Sequence, residues 1–424
     1  MKYARTKQAL AVAGAATLLA VAGCAGDSGE SGSGQQPAGT EQKTITAVMA
    51  QYTEAMQPYY DDLVERFEAD NPDIKVELEV VSWLDIDQVI STRIVTNTAP
   101  DIGNLNFFAT FAADGLLYEA SEIVSPEVLA DMIPTFMDNS KYDGVAYAVP
   151  DLASARLFFY NQDIFDQVRL TADDIATWDG IRAAAEKIKA ELPNITPLAI
   201  PMGPEEAQAE FLIWAASNGG GFYEDGQWTI TSDANVETLE YLGGLVADGL
   251  TNPSPATFNR TEAFALFGEG QAAMLNGAIF LPDILGELGS DVNYSVAPFP
   301  TNLPDGSTIT LGVQDYFFGF KKDGDPNQEA IQRFLTFLFQ PDNYVGFLEA
   351  AGGFLPATFA GSELLASDES LAPYIEVLPG AVFYPQAEAS WAAVQGAAQE
   401  NIGLAVAPGA DIMSVLELIA GRAQ

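Results

Sequence analysis

The side chains of this 424-residue chain permit only a few kinds of chemistry. It contains no histidine and a single cysteine, whereas aspartate and glutamate together number 59. Without histidine there is no Ser-His-Asp or Cys-His nucleophile system and no His-based zinc site. Paired-carboxylate chemistry remains possible, but no pair among the acidic residues is marked out by its position. We therefore expect no cofactor and no metal site.

The single cysteine, Cys24, lies between an apolar run and a Gly/Ser-rich tract. Three basic residues occur in the first seven positions, and no charged residue follows before Cys24. This layout is typical of a secretory signal, and the apolar run is shorter than a membrane-spanning helix requires. Residues Val21 to Cys24 resemble the bacterial lipobox, in which the cysteine receives a lipid after cleavage. We expect a signal peptide over 1–23 and a flexible tether over 24–42, with Cys24 lipidated rather than buried and inert.

The charge balance excludes one class of partner. The formal net charge is −41 at pH 7, so the chain repels phosphate backbones and nucleic-acid binding is not expected. The acidity favours solubility and salt tolerance, and by itself it identifies no ligand.

The first part of the body predicts a βαβ unit. Residues 43–50 form an apolar run of strand length, a helical stripe of Tyr60, Leu63, Val64 and Phe67 follows, and residues 74–80 alternate like a half-buried strand. Ligands of such units bind beyond the carboxyl ends of the strands. We therefore expect ligand contacts from the residues that follow the first strand, with a plain helix start as the alternative; these residues are Gln51, Tyr52 and Glu54.

Helical stripes and short apolar strands alternate over the rest of the body, which contains 48% hydrophobic residues. The length is sufficient for more than one core, and no repeat of 20 to 50 residues is visible. This pattern predicts a two-lobed α/β protein.

Five stretches, taken in order, resemble one family. They are "TAPDIGNLNFFATFAADGLLYEAS" (98–121), "YAVPDLASARLFFYNQDIF" (147–165), "AFALFGEGQAAMLNGAIF" (263–280), "GGFLPA" (352–357) and "YPQAEASWAAVQGAAQENI" (384–402). Together they are similar to motifs of the extracellular solute-binding proteins of carbohydrate ABC transporters, the group that includes the maltose-binding protein.

The resemblance implies a type II binding-protein fold, with two α/β lobes, three hinge crossings and a ligand cleft between the lobes. By motif position the N-terminal lobe would comprise 43–151 and 310–358. The C-terminal lobe would comprise 152–309 and 359–424.

The resemblance also implies a sugar site. A neutral sugar presents C–H faces and hydroxyls, so its pocket needs aromatic walls edged by polar side chains. Trp391 stands where the family pattern has a stacking aromatic residue. Asp101 is a further candidate, and the family also places contact groups in the loop after it, where Asn106, Phe107 and Phe108 follow. Each aromatic residue has an alternative role in a hydrophobic core.

Further candidates lie at the proposed crossings and near the strand ends. Phe280 stands where many relatives carry Pro-Trp, which hints at a differently shaped sugar. The charged candidates at the hinge have the alternative of pairing with one another, and Asp85 has the alternative of capping a helix. The candidates are Asp151, Ser154 and Arg156 at the first crossing, Gln314, Asp315 and Tyr316 at the second, and Trp83 and Asp85 after the second strand.

The function implied by the resemblance is that of the substrate-binding component of an ABC importer. The protein would act outside the cytoplasm as a lipid-anchored monomer, bind a sugar or oligosaccharide without transforming it, and deliver it to the membrane permease. The alternatives are a binding protein for another solute such as a polyamine, a peptide or a metal, a lipid-anchored glycosidase, and a surface adhesin.

Overall fold

The computed structural model describes residues 42–322, 324 and 327–423. The expected signal peptide, Cys24 and all of the tether except residue 42 lie outside this part of the chain. The strands are β1 (Lys43–Gln51), β2 (Ile74–Ser82), β3 (Ile102–Leu105), β4 (Lys141–Tyr142), β5 (Val145–Ala146), β6 (Val149–Ser154), β7 (Arg156–Asn161), β8 (Thr196–Ala199), β9 (Tyr223–Glu224), β10 (Gln227–Trp228), β11 (Ala272–Ala278), β12 (Tyr294–Ala297), β13 (Thr310–Leu311), β14 (Val313–Gly319) and β15 (Ala381–Val382).

The α-helices are distributed along the whole described chain. None of these described helices combines the length and the apolar character that a membrane span requires. They are α1 (Met56–Asp70), α2 (Ile86–Val95), α3 (Ala109–Ala113), α4 (Ala120–Ile123), α5 (Pro126–Asp131), α6 (Pro134–Asp138), α7 (Gln162–Val168), α8 (Trp178–Glu191), α9 (Ala207–Ala216), α10 (Asp233–Ala247), α11 (Arg260–Gly268), α12 (Leu281–Glu287), α13 (Gln328–Leu338), α14 (Pro341–Ala350), α15 (Phe359–Leu365), α16 (Ala372–Val377), α17 (Trp391–Asn401) and α18 (Ile412–Ala420). Short 3₁₀ helices occupy Ala172–Ile175, Pro255–Thr257, Glu369–Leu371, Leu378–Gly380 and Ile402–Val406.

The predicted βαβ unit is confirmed. β1 and β2 pair in parallel, and α1 connects them. The apolar stripe of α1 buries Tyr60, Leu63 and Phe67 against the sheet. The helix ends at Asp70 and is capped by Asn71, whose side-chain amide donates to the Phe67 carbonyl oxygen at 2.8 Å. It stops here because Pro72 follows and cannot continue the helical hydrogen bonding.

Two mixed sheets organise the chain, as the α/β pattern predicts. The first has the order β2-β1-β3-β14-β6, and β14 runs antiparallel to both of its neighbours. The second has the order β12-β7-β11-β8, in which β7 is antiparallel to β12 and β11. Each sheet is covered by helices and forms the centre of one lobe.

The chain passes between the sheets at short connections. Only Ala155 separates β6 of the first sheet from β7 of the second. The return leads through β13, which pairs with β15, and a single glycine then connects it to β14. The segment after β15 lies against the first lobe, because the Gln386 side-chain amide donates to the carbonyl oxygens of Asn106, after β3, and of Gln314 in β14, at 2.7 and 2.8 Å.

The lobe boundaries differ in detail from the expected ones. The expected boundary after residue 151 falls inside β6, which continues to pair with β14 as far as Ser154. The expected boundary after residue 358 precedes α15, which packs on α14 of the first lobe. The chain reaches the second lobe later, where the Tyr374 hydroxyl lies 3.4 Å from the Ala278 carbonyl oxygen of β11. The "GGFLPA" motif identifies a loop, but it does not determine on which lobe the following helix, α15, packs.

Two glycines near the C terminus provide a matched test of packing. A Cβ at Gly403 would overlap the Met202 carbonyl oxygen and lie 2.8 Å from the Ala256 Cα, whereas a Cβ at Gly396 in α17 would meet no heavy atom within 4 Å. We expect Gly403→Ala to lower the free energy of unfolding by about 1–3 kcal/mol because backbone atoms must move. Gly396→Ala should leave it unchanged or raise it by up to about 1 kcal/mol. Urea unfolding of both variants measures the difference, and equal effects would contradict the packing described.

Candidate ligand-binding cleft

A cavity of about 400 Å³ lies between the two sheets and is lined by both lobes. The first lobe contributes residues that follow β1 and β2, so the site forms at the carboxyl ends of parallel strands, as the topology rule requires. The lining residues are Gln51, Tyr52, Thr53, Glu54, Ser82, Trp83, Leu84, Val313, Asp315 and Phe354 from the first lobe, Ser154 at the crossing, and Arg156, Glu205, Glu206, Arg260, Thr261, Phe280, Ile284, Glu287 and Leu288 from the second.

Four aromatic rings form a continuous wall of the cleft. The ring centroid of Tyr52 is 5.8 Å from that of Trp83 and 5.4 Å from that of Phe354. Phe354 also meets Phe280 of the second lobe, with centroids 5.3 Å apart and ring planes inclined by 31°. Flat rings of this kind offer a packing face for an apolar or C–H-rich ligand surface.

A chain of ion pairs forms the wall on the side of the second lobe. Glu206 accepts from Arg156 Nη2 at 2.7 Å and from Arg260 Nη1 at 2.6 Å, and Glu205 accepts from Arg260 Nη2 at 2.9 Å. Burial alone would raise the pKa of Glu206, but the two guanidinium groups hold it below its ordinary value. The Arg260 guanidinium also lies 5.1 Å from the Phe280 ring centroid, so the charged chain and the aromatic wall support each other.

Two buried carboxyl groups meet at the hydroxyl of Tyr52. The Tyr52 hydroxyl lies 2.9 Å from Asp315 Oδ2 and 3.4 Å from Asp151 Oδ2, and the Asn104 amide donates to Asp151 Oδ2 at 2.7 Å. Burial raises the pKa of Asp315 to about 7, although the Tyr52 hydrogen bond favours its ionised form. Burial and the neighbouring Asp315 also raise the pKa of Asp151, and burial raises the pKa of Asp87 on α2 to about 6.

Several polar atoms around this region are buried without a hydrogen-bond partner among the described residues. Buried polar groups ordinarily have partners, so a group of such atoms indicates a place where a ligand or water completes the hydrogen bonding. The atoms are Asp151 Oδ1, Asp315 Oδ1, Arg156 Nε, Arg260 Nε and Asn276 Oδ1.

The structure brings about half of the predicted site residues to the cleft. The residues at the strand ends lie there because the strand order places those ends together, and the first crossing adds residues from β6 and β7. The predicted residues that line the cavity are Gln51, Tyr52, Glu54, Trp83, Ser154, Arg156, Phe280 and Asp315.

Trp391 does not line the cavity. Its side chain is fully buried, stacks on Tyr384 at 5.1 Å and packs edge-on against Phe222 at 5.2 Å. The alternative that the sequence left open, a core tryptophan, describes its packing, because the ring is covered by aromatic neighbours on both sides.

The loop after β3 also packs away from the cavity. Phe107 lies against Phe111 and Phe108 against Tyr316, with centroids 5.6 and 5.1 Å apart. Asn106 is buried, and its carbonyl oxygen accepts from Gln386. Phe107 and Phe108 therefore pack within the first lobe, and Asn106 binds the segment after β15 instead of lining the cavity.

Five other predicted residues have structural partners. Asp101 precedes β3 and therefore lies at the opposite edge of the sheet, where its carboxylate accepts from Thr46 and pairs with Lys322 at 3.0 Å. Asp85 is exposed and accepts from Ser82 at 2.7 Å. The Gln314 amide donates to the Phe136 carbonyl, and the Tyr316 hydroxyl donates to Gln386 Oε1. Asp151 lies behind Tyr52 and does not line the cavity. It contributes to the site only because it shares the Tyr52 hydroxyl with Asp315.

Sequence reasoning missed part of the wall. Glu205 and Glu206 form an acidic pair immediately before the apolar helix α9, and Arg260 is one of only 18 basic residues. In so acidic a chain, the rarity of basic residues was a usable signal. Phe354 lay inside the quoted "GGFLPA" motif, but its contact with Phe280 depends on the meeting of the two lobes.

A cleft between two α/β lobes, with polar and aromatic groups from both, defines the class of proteins that enclose a solute by lobe closure. The chain belongs to the bacterial extracellular solute-binding protein family, whose model matches residues 50–345. It therefore acts outside the cytoplasm.

Individual relatives agree with this membership. A Brucella abortus (strain 2308) protein that carries only a provisional binding-protein name is 29% identical over 347 residues, which cover 80% of this chain and 83% of that protein. The arabinooligosaccharide-binding protein of Bacillus subtilis (strain 168) is 24% identical over 298 residues, 64% of this chain and 63% of that protein. The maltose-bound structure of T. maritima MalE3 shares the fold with a TM-score of 0.77, at 21% identity, over 90% of this chain and 98% of its own.

The raised pKa of Asp315 makes stability depend on pH. The folded-state pKa of about 7 lies above the ordinary value of about 4 in the unfolded chain, so the contribution of Asp315 to the free energy of unfolding falls as pH rises from about 4 to about 7. Asp315→Asn keeps an oxygen acceptor for Tyr52 and removes the charge. We expect this variant to be about 2–4 kcal/mol more stable than the wild type at pH 8 and equal to it at pH 4.

Urea unfolding at the two pH values measures this effect. Asp70→Asn, at the exposed end of α1, is the control and should change stability little at either pH. An Asp315→Asn variant that is destabilised equally at both values would contradict a buried charge as the cause.

Proposed function

We propose that this protein is the substrate-binding component of an ABC importer and that it binds a sugar or oligosaccharide in the cleft between its lobes. The observation that carries the proposal is the combination of an aromatic wall, formed by Tyr52, Trp83, Phe280 and Phe354, with hydrogen-bonding groups from both lobes in one cavity. Sugars require this combination, because their C–H faces pack on rings while their hydroxyls both donate and accept.

Closure is the proposed mechanism. The ligand contacts residues of both lobes, so it makes more contacts in the closed state than in the open state and shifts the equilibrium by that difference in affinity. The chain changes sheets at the short connections formed by Ala155 and Gly312. We propose that the backbone changes conformation there when the lobes close. The permease then recognises the closed form.

The glycosidase alternative finds no suitable pair among the buried and half-buried carboxyl groups of the cleft, and the other two acidic lining residues, Glu54 and Glu287, are exposed. A glycosidase needs two carboxyl groups that flank the scissile bond. Asp315 lines the cleft, but Asp151 lies behind it and shares the Tyr52 hydroxyl. Glu205 and Glu206 also line the cleft, but both are committed to Arg260. We therefore propose binding without chemical change.

Ligand-induced stabilisation tests the proposal. The protein is melted with neutral mono-, di- and oligosaccharides, and a ligand at one hundred times its dissociation constant should add about 2.7 kcal/mol to the free energy of unfolding. Trp83→Ala should weaken binding of the responding sugar at least about tenfold, since it removes part of the aromatic wall. Trp228→Ala is the matched control, because Trp228 packs on Tyr223 in the β9–β10 hairpin.

Two outcomes would count against sugar binding. Disappearance of an oligosaccharide during incubation would show catalysis. Equal loss of affinity in the Trp83 and Trp228 variants would show that the aromatic wall is not the binding surface.

We further propose that a lipid on Cys24 anchors the protein to the membrane. The support is the lipobox-like sequence Val21 to Cys24 behind a basic and apolar leader. Cys24→Ala should move the protein from the membrane fraction to the soluble fraction of cells, and mass spectrometry of the wild type should show an acylated N-terminal cysteine. Wild-type protein found only in the soluble fraction would contradict the anchor.

A further inference from the structure

The charges of the cleft are unbalanced. Five acidic residues line it against two arginines, and both arginines are engaged by Glu205 and Glu206. Among the described residues, the other three acidic groups have no ion-pair partner. These are Glu54, Glu287 and Asp315.

Asp315 is the only one of these three that is buried, with a relative exposure of 2%. Its Oδ2 accepts from the Tyr52 hydroxyl, whereas its Oδ1 is buried without a hydrogen-bond partner among the described residues. The register of β14 against β6 shifts between Asp315 and Tyr316, and such irregularities re-aim a side chain relative to a regular strand. The result is an acceptor oxygen at the cleft that lacks a donor.

The surroundings of Asp315 are negative. Asp151 shares the Tyr52 hydroxyl with it, and both Asp87 and Glu206 lie close enough to oppose its ionisation. Arg156 favours the ionised form of Asp315, but its Nη2 is bound to Glu206. A ligand hydroxyl would supply a donor to Oδ1 without compensating this charge, whereas an ammonium group supplies both.

A metal ion is a poorer match than an amine. Among the residues described, no group of three or more potential metal-ligating side chains occurs. The rings of Tyr52 and Trp83 stand beside Asp315 in the same wall, and aromatic faces attract organic cations. An anionic ligand would be repelled by the same carboxylates.

We propose that the cleft selects a solute that carries a protonated amine, with the amine seated against Asp315 beside Tyr52 and Trp83. The inference rests on the proposed function and narrows it to an amino sugar. A polyamine has the same cationic chemistry without the sugar ring, and the experiment separates the two.

Titration calorimetry at pH 7 with matched ligands tests the inference. Cellobiose is compared with the disaccharide of glucosamine, which carries amines, and with its N-acetylated form, which is neutral; spermidine provides an amine without a sugar. We expect the amine-bearing disaccharide to bind at least about tenfold more tightly than either neutral disaccharide, because a charge-assisted hydrogen bond to Asp315 is stronger than a neutral one.

Two variants assign the preference to residues. Asp315→Asn keeps the acceptor for Tyr52 and should reduce the preference for the amine to about onefold, while Asp70→Asn should leave it unchanged. Glu54→Gln, on the exposed rim, provides a second test and should reduce the preference two- to threefold. Retention of the full preference by a folded Asp315→Asn variant would overturn the assignment.

The ligand arms separate this inference from the proposed function. Neutral disaccharides that bind as tightly as the amine-bearing one would overturn the amine inference and leave sugar binding in place. Binding of spermidine alone would support the amine site and overturn the sugar function. No binding of any of the four ligands would overturn both.

Discussion

The Tyr52 hydroxyl holds together the strands from which the cleft is built. Tyr52 follows β1, and its hydroxyl bonds to Asp315 of β14 and lies 3.4 Å from Asp151 of β6. β6 leads to the second lobe, and β14 follows the return from it. A single donor shared by two buried acids is a demanding arrangement, because each carboxyl group must retain its proton or be ionised against the other. The position of the aromatic wall depends on this interaction, since the same Tyr52 ring contacts Trp83 and Phe354.

The second lobe solves the problem of buried charge differently. Arg156, Glu205, Glu206 and Arg260 form a linked chain in which the main charges are paired. Such pairs contribute little net stability compared with apolar residues of similar size, but the loss of one partner leaves the others uncompensated and is costly. The buried charges of the two walls therefore differ: Glu205 and Glu206 of the second lobe are paired with arginines, whereas Asp315 of the first lobe has no ion-pair partner among the described residues.

Local sequence patterns were sufficient to predict the α/β class, the βαβ unit and the strand-end residues Gln51, Tyr52 and Trp83, because periodicity and the parallel crossover determine where those residues lie. Trp391 could not be assigned in this way, since a tryptophan that stacks on a ligand and one that stacks on Tyr384 share the same sequence context. Arg260 and Phe354 reach the cleft from loops and helix ends whose neighbours are far away in the sequence. Their positions depend on how the lobes meet, which no local pattern records.

The contact between Phe280 and Phe354 spans the two lobes within the protein itself. Separation of the lobes would expose both ring faces to water, which carries a hydrophobic cost even when no solute is bound. The unloaded protein therefore has a built-in bias toward closure, and the solute needs to supply only the remainder of the closing free energy. The same bias reduces the contrast between loaded and unloaded forms, so a transporter that reads closure alone would encounter some closed but empty molecules.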